Sequence, residues 1–219
     1  MASSGLELLW VSAPQLAKGA WITLSISASA IVFSTLGGVL YGVLRSLGKR
    51  WIELPLRVYL ELFRAIPVLV WLYLFFFGLP IFAGISVPSF WCAVLVLSLW
   101  GASEVGEVVR GGLRSLPRGQ REAGLAIGLS AAQLYREVLL PQVLKRITPP
   151  TINVYTRIIK TSSLAVLIGV VDVIKVGQQI IERTYESVLI YGFLFLFFFF
   201  LCYPLSAASR VLERRWSHA

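Results

Sequence analysis

The sequence predicts an all-α polytopic membrane protein with five transmembrane helices, and three observations carry that class. Of 219 residues, 57% are hydrophobic and only 14% charged, against roughly 45–50% apolar and about 25% charged in a soluble domain. Three stretches carry no charge at all: Gly19 to Leu44, Ala65 to Ser103 and Ser187 to Ser209. The basic residues divide unevenly between alternate loops. Of the 20 Lys and Arg residues, only Lys18, Lys175 and Arg183 fall on one side. Basic excess marks the cytoplasmic side, which puts the N-terminus outside and the C-terminus inside. The net charge of +9 then reflects topology and calls for no nucleic-acid partner.

The elements follow from where the uncharged runs break. Residues 1–18 read as an external N-terminal segment carrying Trp10 and Pro14, and residues 19–219 as a single transmembrane domain. A spanning helix needs about 20 apolar residues, so 19–44 is the first span. Gly38 and Gly42 within it have the spacing that admits a second helix closely, or that a membrane helix simply tolerates. The run from Ala65 to Ser103 is too long for one helix and is interrupted by Gly78, Pro80, Gly84 and Pro88. It reads as spans at 59–78 and 88–109 joined by a short hairpin. A fourth span over 150–171 must carry Arg157 and Lys160; long basic side chains near its cytoplasmic end can reach the interface. Residues 172–186 form an external amphipathic helix, and 187–209 the fifth span.

The N-terminus lacks a cleavable signal pattern, because the first basic residue is Lys18 and the apolar run after it is too long for a signal core. Cys92 and Cys202 sit inside predicted spans and read as apolar packing residues. The single histidine, His218, belongs to the tail.

The segment 115–146 is unlike the rest, being charged and placed on the cytoplasmic side. Pro117 precedes a helix through Glu122 to Ile127, which Gly128 ends in the left-handed conformation. Ser130 and Gln133 form a capping box that opens a second helix, expected to stop at Pro141. Leu125, Ile127, Leu129, Leu134, Tyr135 and Leu139 make this hairpin too apolar for a solvated loop, so it needs a partner surface.

Ionisable residues at membrane depth are the candidates for a polar pathway. Glu61 and Arg64 open the second span, and Ser103, Glu104 and Glu107 lie in the inner part of the third. Glu104 and Glu107, three residues apart, share one helix face. A carboxylate at this depth costs roughly 2.5–3.5 kcal/mol on insertion scales unless it is paired or faces water. Arg64, Arg110 and Lys160 are the available cations. The acids either contact a solute or lock helices together through Arg–Glu pairs. The sequence has no phosphate-binding loop of the Gly-x-x-x-x-Gly-Lys-Ser/Thr kind, no histidine in a span to serve a Ser–His pair, and no Cys/His cluster for a metal. It is expected to be no enzyme, with no catalytic residue, no metal site and no cofactor of its own.

Glu122-Ala123-Gly124, then Gly128, then Val138-x-Leu140-Pro141 resembles the EAA signature of permease subunits in binding-protein-dependent ABC importers. That pattern reads Glu-Ala-Ala, three residues, Gly, nine residues, Ile-x-Leu-Pro. Every spacing matches, with Gly124 in place of the second Ala and Val138 in place of Ile. Glu61-Leu62-Phe63-Arg64-Ala65-Ile66-Pro67, Glu107-Val108-Val109-Arg110-Gly111-Gly112, Pro117-Arg118-Gly119-Gln120-Arg121 and Lys160-Thr161-Ser162-Ser163-Leu164 are similar to the polar amino acid uptake subfamily. Glu104 stands where those relatives often carry an aromatic residue.

The resemblance implies a type I ABC importer permease fold in the bacterial inner membrane. It implies a second permease subunit, identical or related, and a dimer of ATPase subunits that hold the ATP and Mg. A periplasmic solute-binding protein would deliver an amino acid. Glu122, Ala123, Gly128, Leu140 and Pro141 would couple to the ATPase. Arg64 or Lys160 would meet a substrate carboxylate and Glu104 or Glu107 its ammonium, with Ser103, Ser162 and Ser163 adding hydroxyls. Without the resemblance, the paired acids also suit an ion-gradient-driven secondary transporter or a passive channel, in which the apolar hairpin has no part.

Overall fold

The computed structural model describes residues 5–216, apart from the side chains of Leu6 and Arg118; His218 lies outside them. All regular structure among the described residues is helical. The helices are α1 (Gly5–Ser46), α2 (Arg50–Ala65), α3 (Val68–Ala83) and α4 (Ser89–Arg114). They continue with α5 (Arg118–Ala126), α6 (Ala131–Ile168), α7 (Val173–Thr184) and α8 (Ser187–Trp216). Helices α1, α4 and α8 are long and apolar enough to cross a membrane, and the number rises to 5 if α2 with α3, and α6 with α7, each make one bent span. The chain is therefore a multi-pass membrane protein.

Several boundaries differ from the sequence reading, each for a local reason. Helix α1 begins at Gly5, so the segment read as external runs into the first span without a break. The stretch expected to be one span over 59–78 is interrupted between α2 and α3 at Ile66 and Pro67. Proline lacks the N–H that would continue the helix and drives the preceding residue out of the helical region. Pro141, by contrast, stops nothing. A wide π turn over Leu134–Leu139 precedes it, and such a turn redistributes backbone bonds where proline removes one. The helix continues through Pro149 and Pro150 to Thr161. The expected fourth span then tightens to a 3-10 segment over Ser162–Ile168. It ends at Gly169, whose φ of 86° requires the left-handed conformation that glycine adopts freely.

The chain forms two compact units. The first comprises residues 1–32, 66–98 and 157–204. Its core is Leu16, Val173, Val176, Ile180, Ile190 and Leu194, drawn from α1, α7 and α8. A polar seam stitches it: Thr23 Oγ1 donates to the Gly19 carbonyl at 3.1 Å and accepts the Val173 N–H at 3.2 Å. Asp172 caps α7 by accepting the Lys175 N–H at 2.9 Å. A Cβ at Gly19 would stand 2.9 Å from the Asp172 carbonyl oxygen, so bare backbone is what lets α1 lie against this cap. Cys92 and Cys202 are both buried and free.

The second unit comprises residues 33–65, 99–156 and 205–219. Here the Gly38/Gly42 pair is a contact surface: added Cβ atoms would lie 2.6 Å from Val105 Cβ and 2.6 Å from the Gly106 carbonyl oxygen. Gly106 returns the favour, since the Tyr41 ring occupies the space its side chain would fill. Helices α1 and α4 thus meet along a stripe of small residues, as membrane helices do where apolar burial cannot drive association. Ser209 of α8 donates to the Pro149 carbonyl at 2.9 Å.

Candidate functional site: a rooted hairpin and a buried ion-pair cluster

The hairpin is built by local capping at each turn. Pro117 takes the N-cap position of α5 with an extended ψ of 135°. At the far end Gly128 has φ 83°. Its N–H bonds the Leu125 carbonyl at 3.0 Å, and the Leu129 N–H bonds the Gly124 carbonyl at 3.1 Å. Those two bonds are the Schellman pattern that ends a helix on glycine. Ser130 and Gln133 then close the expected capping box, with Ser130 N–H donating to Gln133 Oε1 at 3.0 Å and Gln133 N–H to Ser130 Oγ at 3.3 Å.

The two arms close over fully buried Leu134. Its Cδ1 would lie 2.5 Å from a Cβ at position 124, so Gly124 loosens α5 by roughly 1 kcal/mol relative to alanine but gives Leu134 its seat.

The root of the hairpin is tied down. Arg146 Nη1 donates to the Ser115 carbonyl at 2.5 Å and to Ser115 Oγ at 2.8 Å. Gln142 donates to Gln120 at 3.3 Å, and the Ile147 side chain sits on bare Gly112. The tip is the opposite: Ile127 is 78% exposed and Leu125 49%, with Glu122 and Ala123 on the surface beside them. Leu140 and Pro141 are exposed on the second arm. The result is an apolar tip on a firmly held base, a shape suited to passing a displacement from a docked partner into α4 and α6.

The second feature is a cluster of charges around α4. Arg45, at the end of α1, is only 5% exposed. It pairs with Glu107 and donates to Tyr41 Oη at 3.1 Å. The Tyr41 hydroxyl in turn donates to the Leu56 carbonyl at 3.1 Å, drawing α2 into the network. Arg110 grips the same carboxylate bidentately, Nε to Oε1 at 2.9 Å and Nη2 to Oε2 at 2.8 Å. Tyr59 donates to the Leu99 carbonyl. Arg64 approaches Glu104 at 3.9 Å while half exposed. Glu107 is doubly paired, and Arg45 is held through Nη1 while its buried Nε has no partner among the described residues; pairing of this kind is the condition for keeping charges at membrane depth.

The candidate pathway residues fall into two sets, one in each unit. In the second unit Glu107 is consumed by Arg45 and Arg110, and Glu104 is met by Arg64. Ser103 is fully buried and donates to the Trp100 carbonyl at 2.7 Å. In the first unit Ser162 is buried, accepting from Ser27 at 3.1 Å and donating to the Ile159 carbonyl at 2.8 Å. Lys160 is exposed and Ser163 partly so, the latter donating to the Lys160 carbonyl at 2.7 Å.

The first span read from the sequence stops at residue 44, one short of Arg45, whereas the helix runs on to Ser46. The signal of Arg45 was legible in hindsight, because it lies seven residues beyond Gly38 and so continues the glycine face of α1. Among the described residues no group of three or more His, Cys, Asp or Glu side chains could hold a metal.

Comparison with known proteins then decides the family. Residues 30–218 match the model of the binding-protein-dependent transport system inner membrane component. The chain belongs to that family. Among its relatives are the glutamine transport system permease protein GlnP of Escherichia coli (strain K12) and the arginine transport system permease protein ArtQ of Bacillus subtilis (strain 168). GlnP is 34% identical over 94% of this chain and 95% of its own length; ArtQ is 32% identical over 92% of each. An amino acid ABC transporter solved with histidines has the same fold, with a TM-score of 0.86 at 27% identity over 98% of this chain and 100% of that one. An inward-facing MetNI methionine ABC transporter shares the fold alone, with a TM-score of 0.73 at 22% identity, over 92% of this chain and 95% of that one. This transport-system component is a permease subunit: ATP hydrolysis belongs to a separate ATPase subunit, and a binding protein is implied by the family itself.

Proposed function

We propose that this permease forms one half of the pathway through which an ATP-driven importer carries a polar amino acid across the bacterial inner membrane. In this reading it has five spans, with its N-terminus outside and its C-terminus inside, and pairs with a second permease, identical or related. The named transport functions of its relatives, glutamine and arginine, support the polar amino acid class.

The observation that carries the coupling part is the hairpin itself, with exposed Leu125 and Ile127 on a root locked to α4. An ATPase pair that closes on ATP would hold the tip in a groove, Glu122 meeting a basic group there. Gly128, Leu140 and Pro141 shape the two arms. Closure would carry the hairpin, and with it α4 and α6, so that the spans rock between inward-open and outward-open states. Such a shift requires the ATPase to bind the two states unequally. A binding protein would then release its amino acid, and hydrolysis would reset the cycle.

Either Arg64 or Lys160 is the proposed partner for the substrate carboxylate, each supported by its own exposure. Glu104 is the better proposed partner for the ammonium than Glu107, since Glu107 already holds two guanidinium groups. Ser163 is the hydroxyl with surface to offer, whereas Ser103 and Ser162 are buried. The test is reconstitution in proteoliposomes with the ATPase and binding protein, measuring uptake across a panel of amino acids. Uptake of a polar amino acid that needs ATP and the binding protein is the expected result. Uptake that persists without ATP while an ion gradient is intact would make the chain a secondary transporter.

A further inference from the structure

A cavity of about 520 Å³ lies at the root of the hairpin, within the second unit. Its walls come from the end of α1 at Val43–Leu47, the end of α4 at Leu113–Pro117, and both arms of the hairpin. The lining is largely apolar, with Leu47, Leu113, Leu139 and Val143 among its residues, and Arg114 and Arg121 are the basic residues on it. Both arginines are exposed, and neither takes part in an ion pair among the described residues. Leu47, 55% exposed, and Tyr135, also 55% exposed, carry the apolar wall outward.

The position matters as much as the chemistry. Helices α1 and α4 are two of the long apolar helices, and each ends in a basic last turn. Basic last turns on spanning helices mark where hydrocarbon gives way to headgroups. The cavity therefore sits at that level, with an apolar interior and uncompensated positive charge. A free anion such as phosphate gains nothing from the apolar wall. A zwitterionic lipid satisfies the wall but brings no net charge. Basic pockets between spanning helices suit anionic headgroups, and about 300–1,000 Å³ is the ordinary size of a ligand cavity.

We infer that this cavity binds one anionic phospholipid, its phosphate held by Arg114 and Arg121 and its acyl portion against Leu47, Leu113, Leu139 and Val143. Because Arg121 and Tyr135 belong to different arms of the hairpin, the lipid would act as a wedge that sets how the hairpin stands on α4. The inference rests on membrane embedding alone and is independent of which solute is carried.

The experiment is native mass spectrometry of the full chain, purified in its transport complex from bilayers of phosphatidylcholine doped with phosphatidylglycerol. Wild type should retain phosphatidylglycerol through detergent washing, and R114Q/R121Q should lose it by about fivefold per arginine. Ser46→Trp, which fills the cavity without touching the charges, should also expel the lipid, whereas R214Q/R215Q should keep it. Inorganic phosphate in excess should not displace it. Equal retention by R114Q/R121Q, equal retention of phosphatidylcholine, or displacement by phosphate would each overturn the proposal. So would a cavity occupied by a polypeptide, read as protection of Ser46→Cys from a thiol reagent only when the ATPase subunit is bound. The readout is lipid mass, so loss of lipid with transport intact leaves the functional reading standing.

Discussion

Glu107 holds Arg45 and Arg110 at once, and the two partnerships are not equivalent. Arg45 is buried and, among the described residues, pairs with no other acid, while Arg110 is partly exposed and can turn to solvent. Removing one member of a buried pair costs about 3–5 kcal/mol because a charge is stranded. Glu107→Leu should therefore lower the thermal stability of the purified complex by about that amount. Arg45→Met should cost less, since Glu107 keeps its bidentate grip from Arg110. A thermal melt in detergent that ranks them the other way would show that the cluster is not organised around Glu107. Gly128 offers a different test at this scale. Nothing lies within 4 Å of a Cβ added there, so Gly128→Ala introduces backbone strain without a clash. The left-handed conformation costs a non-glycine residue about 1–2 kcal/mol. ATPase co-purification should weaken while membrane insertion stays unchanged, as read by pull-down and by membrane fractionation.

At the scale of elements, α1 and α4 meet where Gly42 faces the Gly106 backbone. A carbonyl cannot rotate away as a side chain can. Gly42→Ile should force the two helices apart, at a cost of at least about 1–3 kcal/mol, visible as reduced yield of folded protein and a lowered melting temperature. An unchanged melt would mean that this contact contributes little. The same elements show what a single sequence reveals. The charge-free runs disclose the apolar helices, and the Ser130–Gln133 and Gly128 signals mark the turn of the hairpin, because capping depends on residues close in the chain. Proline misled twice. Pro67 breaks a helix inside an apolar run whose hydropathy hides it, and Pro141 is absorbed by a π turn with no composition of its own. Arg45 pairs across 62 positions, and no local pattern reports such a partner.

For the molecule as a whole, the hairpin is the proposed input from a separate ATPase, which holds the motor that drives this chain. What the sequence withheld here was the division of candidate residues. Lys160, Ser162 and Ser163 lie in one compact unit, and Arg64, Glu104 and Glu107 in the other, a partition that depends on how the long helices are shared. Ile127 is the residue on which to test the lever, since it is 78% exposed and its replacement disturbs no core. The decisive measurement is ATP-driven uptake in proteoliposomes containing the permease, ATPase and binding protein, compared between wild type and Ile127→Asp. A charge in an apolar docking groove should abolish both uptake and ATPase association while the melting temperature of the permease stays where it was. Uptake by Ile127→Asp at the wild-type rate, or uptake by the permease with no ATPase present, would show that the hairpin is not the coupling lever.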